Sequence, residues 1–587
     1  MPESKLIRAV FLSSMVTMIL SNLATFAGSM VDGVITSRFL GSESMAAFQL
    51  SIPLNLCVVM IFQVFSIGVQ NTCARFLGAG KLKSSVSAYT TSVFILTGIG
   101  IITGVITAVF HTPISALLGA TGDKASLADG LGQYITGLSF GLPVLFIMPL
   151  TIGVMHIEGR GSYVVGSVIL QAVVDVVGDL LNVFIFRKGM LGMGIATSVC
   201  NYASFLFLIF IRSRCYEPVI QVDRREFDLS SLKEVFKVGF PAAVDRVYKT
   251  VQMYTVNMVL AAIATSAEIA AFGAINTLNY IYNPITMGIG TAVLTMSAVF
   301  FGEKDEKSIR QLMRYAVRVA IIVEACVAVI SFAGAPLMMR MFFDSSNTDS
   351  LVIAVRALQM YVLYIPIYGI NYMFQKYYNS TGNIKMNYIL SAFDNLIFIC
   401  ILVFVLGNLL GSDGVFISFV LAEILTTISM IIVMAVKHRR IPKGISDMLD
   451  LSEEIHVPEC DQYQVSADSV AEVVAASEGL REFCLSKGLP GRTANRFSLA
   501  VEELGINIMS WGREKNKKAT VDIRMACLDG WTLRVRDNGG LFDATKWLEI
   551  HDEDDPLHNF GLRLVLKGAK DVSYVSAMKI NNLIIKY

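Results

Sequence analysis

Long apolar runs, separated by short polar segments, fill the chain from its N-terminus to about residue 440. Each run has roughly 20 residues or more, which is enough for a helix to cross the hydrocarbon core of a bilayer. The runs fall near residues 9–35, 44–70, 85–110, 131–156, 163–186, 190–211, 235–262, 268–300, 311–334, 351–377, 385–408 and 413–436. The pattern therefore predicts a polytopic α-helical membrane protein with twelve transmembrane helices.

The twelve predicted spans divide into two similar halves. The sequence after the second span, Phe-Leu-Gly-Ala-Gly-Lys at 76–81, is matched after the eighth by Phe-Phe-Gly-Glu-Lys at 300–304, an offset of 224. Spans four and ten carry Pro143 and Pro366, at the similar offset of 223. Because each half has an even number of spans, the repeat is parallel, with its pseudo-axis along the membrane normal. We predict two six-helix bundles, at 1–222 and 223–444.

Composition and charge agree with a membrane protein. Hydrophobic residues make up 54% of the chain and charged residues only 16%, and a formal net charge of +1 gives no reason to expect a nucleic acid partner. One set of alternate loops carries 23 Lys and Arg residues, and the other set carries 5. By the positive-inside rule, we expect a multi-pass protein of a prokaryotic plasma (inner) membrane with both termini in the cytoplasm.

From about residue 445 the chain becomes polar and its hydrophobic pattern changes. Helical periodicity covers 470–487 and 493–511, and alternation typical of strands covers 519–527, 531–537, 571–577 and 582–587. These segments predict a cytoplasmic α/β two-layer domain at 445–587, which we call the tail.

Three aspartates interrupt the apolar runs of the first half. Asp32 continues a polar stripe at helical spacing on span one, and Asp175 and Asp179 lie one turn apart on span five. A charge near the bilayer centre costs about 2.5–3.5 kcal/mol on insertion scales, so such residues normally face a wet or protein-lined cavity. Thr197 on span six falls at a depth similar to that of Asp179. Together these four residues predict a cation-coupling site for H⁺ or Na⁺. The alternative is that Asp32 extends outward to the membrane surface and that the pair on span five makes structural hydrogen bonds.

The second half offers a different set of polar residues. Candidates for the wall of a substrate cavity lie on spans eight and ten: Asn276, Asn279, Asn283, Tyr364, Tyr368 and Asn371. Aromatic and amide walls suit bulky amphipathic or cationic molecules through stacking and cation–π contacts. Few basic residues occupy the stripes expected to face this cavity, which argues weakly against a cargo with a pyrophosphate group. For Glu324, Asp394 and Glu423, structural pairing and ion coupling are equally compatible with the sequence.

Several short motifs accompany these charged positions. They are Val-Asp-Gly at 31–33, Gly-Ala-Gly at 78–80, Gly-Arg-Gly at 159–161 and Gly-Met-Gly-Ile-Ala-Thr at 192–197. Over about 1–440 the chain resembles the multidrug and toxic compound extrusion (MATE) transporters, within the wider group that includes lipid-linked-saccharide flippases. The resemblance implies a cation-coupled antiporter for bulky amphipathic or cationic compounds, with Asp32, Asp179 and Thr197 in the cation site. The family commonly has Asn where this chain has Asp175, and a saccharide flippase remains an alternative.

Three motifs in the tail have the chemistry of an ATP site. Glu503 and Asn507 share one face of a predicted helix, Asp-Asn-Gly-Gly at 537–540 follows a strand, and Asn-Phe-Gly at 559–561 opens another helix. In such a site Asn507 holds Mg²⁺, and Asp537 accepts a hydrogen bond from the adenine amino group. Gly539 and Gly561 let the backbone approach the nucleotide.

The order of these motifs resembles the ATP-binding fold of gyrases and histidine kinases, and most closely its anti-sigma-factor serine-kinase branch. This resemblance implies that Glu503 is the base in phosphoryl transfer, that the tail meets a small regulatory protein, and that tails pair into a homodimer. Two departures are Trp511, where a His or small residue is frequent, and Asn559, where the first Gly is usual. The chain is then either an exporter with a regulatory nucleotide-binding tail or a membrane receptor whose tail is a serine kinase.

Overall fold

The computed structural model describes residues 5–118, 120, 127–343, 348–451, 455–515, 519–527, 530–540, 563 and 566–586. The region before the tail is helical throughout. Its helices are α1 Lys5–Ile35, α2 Gly41–Gly78, α3 Leu82–Val109, α4 His111–Leu117, α5 Leu127–Ser139, α6 Leu142–Ile157, α7 Gly161–Leu181, α8 Gly189–Arg214, α9 Ser231–Ile263, α10 Ser266–Gly302, α11 Glu306–Met339, α12 Thr348–Tyr361, α13 Ile365–Ser380, α14 Ile384–Ala392, α15 Phe398–Leu410 and α16 Ser412–His438.

Each predicted span corresponds to one of these helices or to two consecutive ones, but the helices differ in how apolar they are. Among the described residues, ten helices are long and apolar enough to cross a membrane, and the bent pair α5 and α6 makes an eleventh. The prediction of twelve exceeds this number by one helix, α9. Its surface is interrupted by Asp245, Arg246 and Lys249, because this helix supplies polar groups to the interior of the second half.

Spans four and ten are both broken near their prolines. The axes of α5 and α6 differ by 52°, and Pro143 lies in the first turn of α6, where its missing N–H leaves no helical hydrogen bond unmade. Pro366 has the same position at the start of α13, after a 3₁₀ turn at Val362–Tyr364. Equivalent spans of the two halves therefore share the same irregularity.

The two halves meet along α1, α2, α9 and α10. At one end, α2 and α10 cross so closely that a Cβ added to Gly78 would lie 2.0 Å from the carbonyl oxygen of Val299. A Cβ added to Gly302 would lie 2.0 Å from the carbonyl oxygen of Arg75. Both pairs of equivalent residues are separated by the repeat offset, so the contacts are reciprocal across a pseudo-two-fold axis. The tail lies at this end, which we call the tail side.

In its described residues, the tail has a five-stranded antiparallel sheet with two long helices on one face. The elements are β1 Gln462–Ala467, α17 Val470–Ser486, α18 Gly491–Glu514, β2 Val521–Cys527, β3 Trp531–Asp537, β4 Asp571–Ala577 and β5 Ile580–Lys586, with strand order β1-β2-β3-β5-β4. Strand β1 was not among the predicted strands because it is short and polar. The alternation of Tyr463, Val465 and Ala467, which all belong to or pack on the core beneath the helices, is the signal that indicates it.

The other face of this sheet contacts the transmembrane helices. Apolar residues of this face share one buried cluster with residues of α1, α2, α6, α10 and α13. Arginines of β2 and β3 contact the loop between α10 and α11. We call this surface the docking face and define it as Arg524, Arg534, Arg536, Val575, Ala577, Met578 and Asn582.

Candidate functional site

The three aspartates of the first half lie in one region, at the end of the bundle remote from the tail. Helix α1 packs on α7, which brings Asp32 near Asp175 and Asp179, and the three carboxylates interact electrostatically. Asp179 is only 1% exposed and Asp175 only 7%. We call these three residues the acid cluster.

Several oxygens of the acid cluster lack partners. Both side-chain oxygens of Asp179, and one each of Asp32 and Asp175, are buried and accept no hydrogen bond within the described part of the chain. A buried carboxylate oxygen without a donor carries a large desolvation cost. These oxygens therefore have the chemistry to bind a proton or a hard cation such as Na⁺. No group of three or more His, Cys, Asp or Glu among the described residues has the geometry of a metal site, so Na⁺ would also need hydroxyl and carbonyl oxygens.

Neighbouring helices complete the surroundings of the acid cluster. Thr197 donates to the carbonyl oxygen of Met193 at 3.1 Å and lies near the hydroxyl of Tyr134 of α5. Tyr134 is buried and lies within electrostatic reach of all three acids. The thiol of Cys200 on α8 donates to the carbonyl oxygen of Thr197 at 3.1 Å and lies near the carboxylate of Asp175. The sequence analysis did not identify Tyr134 or Cys200, because neither extends a polar stripe and only packing brings them to the acids.

The second half contains a denser and better-paired polar network. Lys249 donates to the hydroxyl of Tyr368 at 3.0 Å and lies 4.0 Å from the Asp245 carboxylate, which accepts from Ser391 and Asn395. The amide of Gln375 donates to Asp394 at 2.6 Å, and the amide of Asn371 donates to Glu423 at 2.8 Å. Thr286 donates to one oxygen of Glu324 at 2.7 Å, and the other oxygen has no partner among the described residues.

A cavity of about 440 Å³ lies between the two halves. Phe26 and Leu56 of the first half form part of its wall, and the rest of the wall comes from the second half. Five of the six predicted residues line it: Asn276, Asn279, Asn283, Tyr364 and Tyr368. Asn371 does not, because its side chain is turned into the helix packing, where it bonds Glu423 and Thr427.

The cavity wall carries few charged residues. Arg246 and Lys249 both line the cavity, together with one acid, Glu423. Arg246 donates to Gln63 of the first half at 2.9 Å. Both cations belong to one stripe of α9, which faces the cavity rather than the helix packing.

The tail brings two of its three predicted nucleotide motifs together. Glu503 and Asn507 lie on one face of α18 with Trp511, and the indole of Trp511 lies against Gly540, whose added Cβ would come within 2.8 Å of the indole nitrogen. Glu503 is half-buried and Asn507 is exposed. Gly561, which belongs to the third motif, lies outside the described residues.

Asp537 is the last residue of β3, and its side chain is buried beneath the glycine turn at 538–540. Its carboxylate accepts from the side-chain amide of Asn581 at 2.9 Å and from the backbone N–H of Gly539 at 2.6 Å. Burial raises the pKa of Asp537 to about 6, against the opposing effect of these two hydrogen bonds. A carboxylate beside a glycine turn at the end of a strand suits recognition of an adenine amino group, and Asn507 has the amide oxygen that a Mg²⁺ ion accepts as a ligand.

Comparison with known families follows the division between helices and tail. The MatE family model matches residues 17–181 and again 241–405, which together make up more than half of the chain. The chain belongs to the MatE family. The starts of the two matches in this MatE chain are separated by the same offset as the Gly78 and Gly302 motifs. A second family model, the histidine kinase-like ATPase domain, matches residues 466–586.

Individual relatives cover the helical region of this MatE chain. Multidrug export protein MepA of Staphylococcus haemolyticus (strain JCSC1435) is 24% identical over 443 residues, which are 74% of this chain and 95% of MepA. The outward-facing structure of a multidrug resistance MATE family transporter has a TM-score of 0.66 and 19% identity, and the match covers 73% of this chain and 97% of that transporter's chain. A MOP superfamily transporter from Pyrococcus furiosus, described as having a binding pocket of reverse polarity, has a TM-score of 0.66 and 18% identity. The match covers 73% of this chain and 97% of that transporter's chain. The two structures share the fold of this chain.

Proposed function

We propose that this MatE chain is a cation-coupled antiporter that exports bulky amphipathic or cationic compounds, and that its tail is a regulatory nucleotide-binding domain. The observation that carries the proposal is the acid cluster, whose buried oxygens are left without partners. A structural role for three carboxylates would be expected to satisfy their oxygens, because an unsatisfied buried polar atom is costly. Binding and release of H⁺ or Na⁺ at Asp32, Asp175, Asp179 and Thr197 would explain why these buried oxygens have no hydrogen-bond partner among the described residues.

The position of the cavity supports the transport proposal. It lies between the halves, so rocking of one half against the other, about an axis in the membrane plane, would change its access from one side of the membrane to the other. Tyr364, Tyr368 and Phe419 offer aromatic faces to a bulky molecule, and Glu423 adds a carboxyl group to the wall. With the loop charge bias, the tail side is the cytoplasmic side, and MepA, the relative described above, is named a multidrug export protein.

Transport in proteoliposomes tests the proposal. Purified full-length protein is reconstituted, loaded with a fluorescent lipophilic cation, and given an inward H⁺ or Na⁺ gradient separately. We expect one gradient to accelerate cation efflux about tenfold or more over the rate without a gradient. Equal rates in all conditions across several lipophilic cations would contradict coupled antiport.

A second candidate cargo is a lipid-linked saccharide with a pyrophosphate group. The observation that favours it is the pair of cations, Arg246 and Lys249, in the cavity wall. Two cations on the same side of α9 that line the cavity suit a phosphate group better than a cationic dye. In the same proteoliposomes, faster movement of a lipid pyrophosphate than of the lipophilic cation would favour this candidate.

The tail carries its own prediction. We expect Asp537→Asn to weaken binding of a fluorescent ATP analogue by about 10- to 100-fold. One oxygen of Asp537 accepts from Asn581 and Gly539; if the Asn oxygen keeps these bonds, its NH₂ group faces the adenine amino group, and a donor then meets a donor. Glu503→Gln, by contrast, is expected to retain binding and to lose any phosphoryl transfer to a serine of a partner protein. Fluorescence titration of the full-length protein measures binding, with the partly exposed Asp461→Asn as control. Unchanged affinity in Asp537→Asn would remove the adenine-recognition role from this residue.

A further inference from the structure

The docking face of the tail holds the loop between α10 and α11 by a buried ionic cluster. Arg534 lies 3.1 Å from the Glu303 carboxylate, and Arg536 contacts both Glu303 and Asp305. Asn582 donates to Glu303 at 2.7 Å. All five side chains are less than 9% exposed. Guanidinium groups at this depth need partners, so the cluster indicates a fixed contact between the tail and the second half.

The same arginines also bind the backbone of this loop. Arg524 donates to the carbonyl oxygen of Lys304 at 2.9 Å, and Arg534 donates to that of Glu303 at 3.1 Å. Glu303 directly follows the last residue of α10, so these cations also lie at a helix C-terminus, where positive charge is favourable. Burial opposes ionisation of Asp305, but Arg524 and Arg536 outweigh it and hold the pKa of Asp305 below its usual range.

The tail holds the first half at a second contact. The backbone N–H of Met578, in the turn between β4 and β5, donates to the carbonyl oxygen of Ile157 at 2.6 Å. Gly159 lies so close to this turn that an added Cβ would be 2.5 Å from the backbone nitrogen of Lys579. At Gly80, an added Cβ would lie 3.4 Å from the hydroxyl of Ser573.

The two contacts lie on opposite sides of the pseudo-two-fold axis. The loop after α2, which includes Gly80, and the loop after α10, which includes Glu303 and Lys304, are equivalent in the repeat. Between them lies the close crossing of α2 and α10 at Gly78 and Gly302. One rigid sheet therefore spans the place where the halves would have to separate if the protein opened on the tail side.

We propose that the docking face is an intramolecular clamp that keeps the transporter closed on the tail side, and that opening requires the sheet to leave at least one half. This function of the tail rests on the proposed alternating-access transport. It makes the tail an inhibitor whose release, by a ligand or partner of the tail, sets the rate of transport. It also means that the docking face is unavailable to a second copy of the chain while the clamp is closed.

Two variants weaken the clamp from opposite sides. Glu303→Gln removes one acid from the arginine cluster, and Ser573→Trp places a bulky group between the sheet and Gly80. Glu234→Gln, an acid at the tail-side start of α9 outside the cluster, is the control for the first variant. The reporter is Val299→Cys, which lies at the crossing and is 4% exposed, compared with the same protein without this cysteine.

The measurement is the rate at which a membrane-impermeant maleimide, added on the tail side, labels Val299→Cys in the full-length protein. We expect Glu303→Gln and Ser573→Trp each to raise this rate about fivefold or more, and Glu234→Gln to leave it unchanged. If Glu303→Gln does not yield a monodisperse protein, the labelling rate of the Ser573→Trp protein alone tests the clamp. Unchanged labelling in a monodisperse Ser573→Trp protein overturns the clamp. Faster labelling in a protein that transports no compound retains the clamp and refutes the proposed transport function.

Discussion

Replacing Asp175 and Asp179 together by Asn is expected to abolish ion-driven efflux and to leave the protein folded. Asn has the size and shape of Asp, but its amide does not take up a proton at neutral pH and lacks the negative charge that offsets the charge of a bound cation. The initial rate should fall at least about 100-fold, which corresponds to about 2.7 kcal/mol. Everted membrane vesicles under imposed H⁺ or Na⁺ gradients measure the rate, with the exposed Asp129→Asn on α5 as control.

The same double variant also separates a functional from a structural role. Because three of the four oxygens of these two residues are buried without a partner, their neutral replacements should cost less desolvation than the carboxylates. The thermal midpoint of the variant should therefore stay the same or rise. A lower midpoint together with normal efflux would indicate that the carboxylates hold the helices together and do not couple ions. Asp179→Asn alone should be more harmful than Asp175→Asn, because among the described residues both oxygens of Asp179 are buried without a partner and only one oxygen of Asp175 is.

Gly78→Val is expected to reduce transport about tenfold or more by preventing closure on the tail side. The added Cβ would lie 2.0 Å from the Val299 carbonyl oxygen, which belongs to helix backbone and has little room to move. Overpacking of this kind costs about 1–3 kcal/mol or more, so α2 and α10 should separate at their crossing. Tail-side labelling of Val299→Cys should then increase while efflux in vesicles falls.

A matched control for this variant is available on a neighbouring helix. Gly98→Val on α3 makes the same change where an added Cβ meets nothing within 4 Å, so transport should be close to normal. Gly302→Val should reproduce the loss, because its contact with Arg75 is the repeat equivalent of the contact at Gly78. Normal transport by Gly78→Val would show that the crossing is not part of the transport cycle.

Local sequence patterns determined most of the elements of this protein. Hydropathy located the transmembrane segments, because burial in lipid requires long apolar helices and leaves few alternatives. The repeated glycine loop identified the two halves, and alternation located four of the five tail strands. The acids on spans one and five were also evident, since a carboxylate in an apolar run is rare enough to indicate function by itself.

Only the tertiary structure decided which polar groups meet. Tyr134 joins Thr197, Asn371 turns away from the cavity toward Glu423, and Lys249 enters its wall, although all three lie on stripes or runs that look alike in sequence. The contact of Arg536 with Glu303 joins positions 233 residues apart. Periodicity determines which face of a helix or strand a residue occupies, but the neighbour of that face depends on how separate elements pack, and this information is not local to any segment of the chain.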